Sequence, residues 1–321
     1  MTEFAAAADD FDAAVVATDG IDKFCSSSAW VLSASEALMP PRLPFLHRGD
    51  GGWWAAMRGL HGTGLAYAEP LELAWGLASP LVGGDPARVA DEAVEVLASA
   101  RGLHVAIIAG LAADAPILRA FLAAAPRGWD RRWGQPTIRH VASLAGGVDG
   151  FLARRSRNFR KALRAAQRDA AAAGVTFEAV QVATPAEALA LYARILAVEV
   201  TSWKAAEGVG INAGAMRDFY ERMIVRLAAH GRQRTIFARQ GDRDVAYVLG
   251  AVFADEYRGL QFSYDASLEK LSLGSLCQLH QIEALCAEGI ARYDLGTDMD
   301  YKRRWAEEQF ETGLLVVAPR V

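Results

Sequence analysis

Cysteine is scarce in this chain: Cys25, Cys277 and Cys286 are the whole supply in 321 residues. So small and odd a set excludes a disulfide framework, and neither the cysteines nor the six scattered histidines show metal-ligand spacing. Cys277 and Cys286 fall in one expected helix, about two and a half turns apart, and so point to different faces. Both read as reduced core thiols, which fits a cytoplasmic protein. Also missing is any apolar run approaching the ~20 residues of a membrane span. The opening MTEFAAAADDFDAAVVATDG lacks a basic start and is broken by Asp9, Asp10 and Asp12, so no signal peptide is expected. An excess of one charge is absent too: the formal net charge is −4, which gives no general reason to expect nucleic acid or an acidic membrane as partner. A soluble cytoplasmic protein is the expectation.

What is present is apolar material in quantity. Hydrophobic residues make up 52% and charged residues 22%, the balance of a globular chain. At ~150 residues per domain the length suggests two domains. In the first part, Met39 to Gly52, rich in proline and glycine, reads as loop, and residues 1–30 as a loosely patterned leader. Trp53 to Arg58 and Leu103 to Ala109 read as strands; Pro86 to Ala100 and Ala115 to Ala125 read as helices. The character changes around Gly146 and Gly147, which places a boundary between domains 1–147 and 148–321.

The second part opens with one long helix expected over Phe151–Ala173, ended by Gly174. A strand follows at Thr176–Val182. Thr184-Pro185-Ala186-Glu187 then supplies the N-cap, first-turn proline and acidic residue of a helix running to about Ser202. After a helix at Ala213–Ala229 come three meander strands: Arg234–Arg239, Asp244–Phe253 and Tyr257–Tyr264. A helix from Leu273 to just before Gly289 and strands at Arg292–Leu295 and Glu311–Ala318 complete an α+β layered domain.

Three features carry chemistry. Gly274 at a helix entrance lets a ligand approach bare first-turn amides, which favour an anion such as pyrophosphate; equally, it is a loop glycine before a helix. Arg154, Arg155, Arg157, Arg160, Lys161, Arg164 and Arg168 crowd one helix without an acidic residue until Asp169. Like charges at three- and four-residue spacing repel, so the face either binds something anionic or packs against acidic segments of the same protein. Near the C-terminus stand Asp294, Asp298, Asp300, Tyr301 and Lys302, which read as turn and surface residues or as acid-base groups. His280 and Trp203 each have an ordinary structural reading, on a helix face and in the core.

Glu199-Val-Thr-Ser-Trp203-Lys204, Tyr264-Asp265, Leu271-Ser-Leu-Gly274, Tyr293-Asp294-Leu295-Gly296, Tyr301-Lys302 and Trp305 occur in that order. Over about Phe151 to Val317 this set resembles the CelD-type acetyltransferases of the GNAT superfamily, kin of the FemABX aminoacyltransferases. The resemblance implies a tandem GNAT-like fold of two lobes, each a mixed sheet flanked by helices, the N-terminal lobe degenerate and the C-terminal one bearing the acyl-donor site. It implies a splayed strand at Asp244–Phe253, with Val248 and Leu249 beside the donor, and a phosphate cradle at Leu273, Gly274 and Ser275. Asp265, Asp294, Tyr301 and Lys302 become the expected catalytic set, Lys302 stabilising developing negative charge. Glu199, Trp203, Lys204, Tyr264, Arg157 and Arg160 become the expected acceptor-binding set.

The implied activity is N-acyl transfer from a thioester to an amine on a small molecule, sugar or peptide, by direct attack and without a metal. The single glycine at the cradle departs from the glycine-rich signature of simple GNAT enzymes, which leaves acyl-CoA, an acyl carrier protein and aminoacyl-tRNA open as donors. An aminoacyl-tRNA-dependent transferase is the alternative enzyme, and an inactive binding module the alternative from another class.

Overall fold

The computed structural model describes residues 1–38, 42–208 and 210–319, with the backbone alone at Trp203 and Ala206. The chain divides into two compact units, Met1–Ile138 with Phe310–Val321, and Arg139–Gln309.

Unit 1 begins with four helices where a loose leader was expected: α1 (Thr2–Ala6), α2 (Ala8–Ala17), α3 (Lys23–Ser26) and α4 (Ser28–Ala37). Their apolar residues explain the difference. Phe4 and Phe11 pack edge-on, centroids 4.8 Å apart, and both turn edges to Trp53. Strand β1 (Leu43–Arg48), read as loop, pairs antiparallel with β2 (Trp53–Leu60); Pro44 is tolerated because β1 is an edge strand. Beyond β2 lie β3 (Ala66–Pro70) and the short β4 (Leu81–Val82). Helix α5 (Pro86–Ser99) is capped by the Asp85 side chain. Strand β5 (Val105–Leu111) pairs parallel to β3, and α6 (Pro116–Ala124) and β6 (Asp130–Trp133) follow.

Unit 2 takes in β7 (Thr137–Ser143) from Arg139 onward. The expected long helix is two, α7 (Gly147–Ala153) and α8 (Arg157–Ala172), because Ser156 adopts extended backbone and its side chain caps α8 by accepting from the Phe159 amide. Strand β8 (Val175–Val180) leads to α9 (Pro185–Val200), whose Thr184 and Glu187 form the reciprocal capping box. Helices α10 (Trp203–Glu207) and α11 (Gly214–Ala229) precede the meander β9 (Gln233–Gln240), β10 (Arg243–Phe253) and β11 (Glu256–Tyr264). Helix α12 (Leu273–Ala287) crosses over to β12 (Arg292–Thr297). The spatial order is β7-β12-β11-β10-β9-β8, with only β11–β12 parallel.

Alternation along β10 assigns the two faces of this sheet. Tyr247 reaches α9, donating its hydroxyl hydrogen to Glu199, while its neighbour Val248 packs with Leu276 and Cys277 of α12. Helices α9 and α11 therefore cover one face, α8 and α12 the other. The last strand, β13 (Glu308–Ala318), leaves unit 2 and inserts between β5 and β6 of unit 1. The unit boundary thus differs from the expected 147/148 division: the end of the chain belongs with its beginning. Among the described residues, no helix is long and apolar enough to cross a membrane, and no cluster of three metal-ligating side chains occurs.

Candidate functional site

The decisive geometry lies on β11. Its parallel ladder with β12 has only three rungs, Glu256–Arg292, Tyr257–Tyr293 and Arg258–Asp294. Beyond Arg258 the strands part, while β11 continues to Tyr264 and keeps its pairing with β10. Residues 259–264 thus present an edge without a β12 ladder. The expected opening on β10 is corrected here. Val248 pairs with Ile236 on one side and Phe262 on the other, and Leu249 with Thr235 and Gln261, so neither has a free edge.

One cause of the parting is local. Gly296 sits at φ +82°, a left-handed conformation that turns β12 away. A Cβ there would stand 3.5 Å from the Lys302 ammonium and 3.8 Å from the Gly259 carbonyl oxygen. Lys302 therefore occupies the mouth of the gap. Its Nζ donates to the Thr297 carbonyl at 2.7 Å. Burial, with the Arg258 guanidinium nearby, pulls its pKa down to about 8 against the opposing pull of Asp298. Beside it, Tyr301 turns an edge to Phe262 of β11, centroids 5.5 Å apart, and burial pushes its phenol up, so the proton is kept. The structure brings Tyr301 and Lys302 together where the strands separate.

The other two expected catalytic residues are committed elsewhere. Asp294 is 1% exposed, ion-paired with Arg139 and Arg258, and accepts from the Gly296 amide. With its lone pairs held by these donors it is a structural anchor, not a base. Asp265 accepts from the Ser267 amide and hydroxyl and pairs with Arg243 at 2.7 Å. Burial raises its pKa, but these donors outweigh that and hold the carboxyl below the usual range, which makes it a weak base.

Helix α12 begins beside the gap. Ser272 adopts a left-handed conformation before it and offers no side-chain cap; its carbonyl takes the amides of Ser275 and Leu276. The Leu273 and Gly274 amides have no intrahelical acceptor. Ser275 thus drops out of the expected cradle as an amide donor. Gly274 has a packing reason as well: a Cβ would lie 2.9 Å from the Phe262 ring and 3.5 Å from Tyr264. Tyr264 accordingly walls the helix entrance on the α12 face.

On the opposite face lies a second polar group. Lys204 donates to the Phe262 carbonyl at 2.6 Å and to Gln261 Oε1 at 2.9 Å, and its Nζ is 3.6 Å from Glu199 Oε1. Burial lowers its pKa, with Glu199 opposing. Gln261 in turn donates to the Tyr220 hydroxyl. Glu199 is fully buried: Tyr247 donates to Oε1 at 2.6 Å, and a Cβ on Gly210 would lie 2.8 Å from Oε2. It balances Lys204 from within the core and does not line an open acceptor cleft, which corrects that expectation. The Trp203 side chain lies outside the described residues. Arg157 and Arg160 lie on α8, on the α12 side of the sheet; Arg157 is exposed and Arg160 partly so, its guanidinium donating to the Leu152 carbonyl.

Arg258, Gly259, Phe262 and Gly296 shape the site yet were absent from the expected set. The Tyr293-Asp294-Leu295-Gly296 segment held the signal, a glycine ending a strand, but nothing local tells that it bends away from a parallel neighbour.

Comparison with known proteins agrees with this geometry. Residues 157–303 match the family model described as an acetyltransferase (GNAT) domain. This part of the chain is similar to GNAT acetyltransferase domains. Three solved structures share the fold. A conserved protein of unknown function from Bacteroides thetaiotaomicron VPI-5482 has a TM-score of 0.65 at 11% identity, covering 98% of this chain and 97% of its own. FemX has a TM-score of 0.65 at 12% identity, with 95% of each chain covered. L-PGS from Bacillus licheniformis has a TM-score of 0.53 at 11% identity, covering 86% and 84%. No curated protein matches the sequence. At these identities the three structures speak for the fold alone, and the expected α+β class, mixed sheets flanked by helices, stands.

Proposed function

We propose that the protein is an N-acyltransferase that moves an acyl group from a phosphopantetheine thioester to an amine. The observation that carries this reading is the separation of β11 from β12 beyond Arg258, with the Lys302 ammonium at its mouth. An extended pantetheine arm pairs by its amides with an unladdered strand edge, as a further strand would. The phosphate end of the donor then meets the Leu273 and Gly274 amides at the α12 N-terminus.

In the transfer, the neutral amine attacks the thioester carbonyl carbon. The C–N bond forms, the carbonyl π electrons move to oxygen, and the C–S bond breaks as the oxyanion collapses. The proton shed by nitrogen replaces the one that Tyr301 gives to the thiolate, so the site returns to its starting state. Lys302, in its charged form, stabilises the oxyanion by hydrogen bonding in a site of low dielectric. Tyr301, whose phenol keeps its proton, supplies one to the departing sulfur. Lys204 holds the Phe262 carbonyl and so fixes the shape of the edge the donor uses.

The test is a thermal-shift and turnover screen with acetyl- to decanoyl-CoA and a panel of primary amines. Saturable donor binding with free thiol released only when an amine is present supports the reading. Donor binding that survives Lys302→Ala, with turnover also unchanged, refutes the assignment of Lys302.

A further inference from the structure

The α8 face raises a question that the transfer site leaves unanswered. Arg157, Lys161, Arg164 and Arg168 are exposed and Arg160 is half-buried, and none has a carboxylate partner among the described residues. The neighbouring Arg154 and Arg155, by contrast, are both paired with Glu307. The face runs against two rules of helix stability, since its cations repel at three- and four-residue spacing and Arg157 stands at the positive end of the helix dipole.

Beside these cations is a hollow of about 120 Å³ lined by Val148, Leu152, Leu163 and Leu279, with Arg160, Arg164, Gln167 and Glu283 at its rim. Glu283 is engaged by His280 at 2.7 Å. The shape selects among anionic partners. A membrane surface calls for apolar side chains that protrude, and here the apolar surface is concave. Single-stranded nucleic acid calls for aromatic rings to stack on. The aromatic residue of α8, Phe159, is turned edge-on to Trp305 at 4.9 Å. A concave apolar hole with Arg160 and Arg164 on its rim and Arg157, Lys161 and Arg168 on the same helix fits a protein helix bearing carboxylates and one protruding aliphatic side chain.

We propose that this face docks an acidic carrier protein which delivers the thioester on its own phosphopantetheine arm. The inference rests on the acyl-transfer reading. It is favoured by α12, which supplies Leu279 and Glu283 to the hollow and begins at Leu273 beside the gap. Leu279 lies six steps along the helix from Leu273, about 9 Å of rise, well within the reach of such an arm.

The experiment measures binding and turnover of the full chain with a purified acidic type II acyl carrier protein in its octanoyl form. Octanoyl-CoA, an RNA hairpin and phosphatidylglycerol vesicles are the comparison probes. Carrier binding is expected at low salt, weakening about tenfold or more in Arg164→Glu/Arg168→Glu, as rim charges steer association. The same loss is expected in Gln167→Trp, which fills the hollow. Octanoyl-CoA turnover stays within about twofold in both variants, which shows that they fold. Carrier binding indifferent to these changes overturns the proposal, as does stronger binding of RNA or vesicles through the same residues. If neither octanoyl thioester is turned over, the transfer reading falls, while the binding data still decide the docking surface.

Discussion

Replacing Lys302 with methionine removes a cation the fold holds at a cost, and the change is large enough to measure. In the folded protein its pKa lies at about 8 and in the unfolded chain near the ordinary 10.5. The unfolded chain therefore binds the proton more tightly. Stability is highest above 10.5, falls as the pH drops toward 8, and is constant below that. At 1.36 kcal/mol per pKa unit the cost at neutral pH is about 3 kcal/mol. Methionine matches the unbranched stem but gives up the hydrogen bond to the Thr297 carbonyl, worth roughly 1 kcal/mol. A net gain of about 2 kcal/mol at pH 7 follows, or roughly 4–8 °C in Tm for a unit of this size. Calorimetry of Lys302→Met and wild type at pH 7 and pH 10.5 reads both the gain and its disappearance as the lysine neutralises. Acyl transfer should fall by about a hundredfold or more, the loss typical of a missing oxyanion donor. A variant less stable than wild type at pH 7, or a gain unchanged at pH 10.5, refutes the argument that Lys302 is held in a desolvated place.

Other consequences are as direct. In the proposed mechanism the charged form of Lys302 stabilises the oxyanion; it predicts that kcat declines as pH rises through about 8 and that Lys302→Arg moves that decline out of the measurable range. Asp294→Asn leaves Arg139 and Arg258 buried beside a neutral group and should destabilise by about 3–5 kcal/mol in urea unfolding, the cost of breaking a buried pair. Full stability with selective loss of activity would return Asp294 to the catalytic set. Gly274→Val drives a branched side chain at the Phe262 ring and should cost about 1–3 kcal/mol. Adding Phe262→Ala should recover part of that in a double-mutant cycle, and strict additivity would refute the packing explanation. Tyr247→Phe deprives the buried Glu199 carboxylate of its 2.6 Å donor and should cost about 1.5–3 kcal/mol.

Much of unit 2 was legible because its signals are local. The Thr184–Glu187 capping box, the alternation of Tyr257–Tyr264 and the long apolar run of Asp244–Phe253 each name an element without help from distant residues. What stayed hidden depends on pairing between segments far apart in the chain. No local pattern tells that the ladder ends at Arg258, so the opening was expected one strand away, on the very strand that is paired on both sides. Partnership hid the rest. Asp294 and Asp265 look like available carboxylates until Arg139, Arg258 and Arg243 fold onto them, and Glu199 looks like a cleft residue until Gly210 lies across it. Lys302 and Tyr301 were legible through the ordered set of short matches, which placed them after a strand end that the structure puts at the gap. Unit 1 was the least legible: the four opening helices are held by Phe4, Phe11 and Trp53 meeting across some fifty residues of sequence, a contact no window covers.

The return of β13 into unit 1 has a consequence for synthesis. Because that strand is Glu308–Ala318 and stands between β5 and β6, the first unit cannot finish its sheet until those residues have left the ribosome. The second unit, encoded wholly upstream of Phe310, has every strand it needs earlier. A nascent chain stalled with residues up to 309 emerged and 310–318 still in the exit tunnel should therefore protect residues 139–309 from proteolysis while β5 remains open to attack.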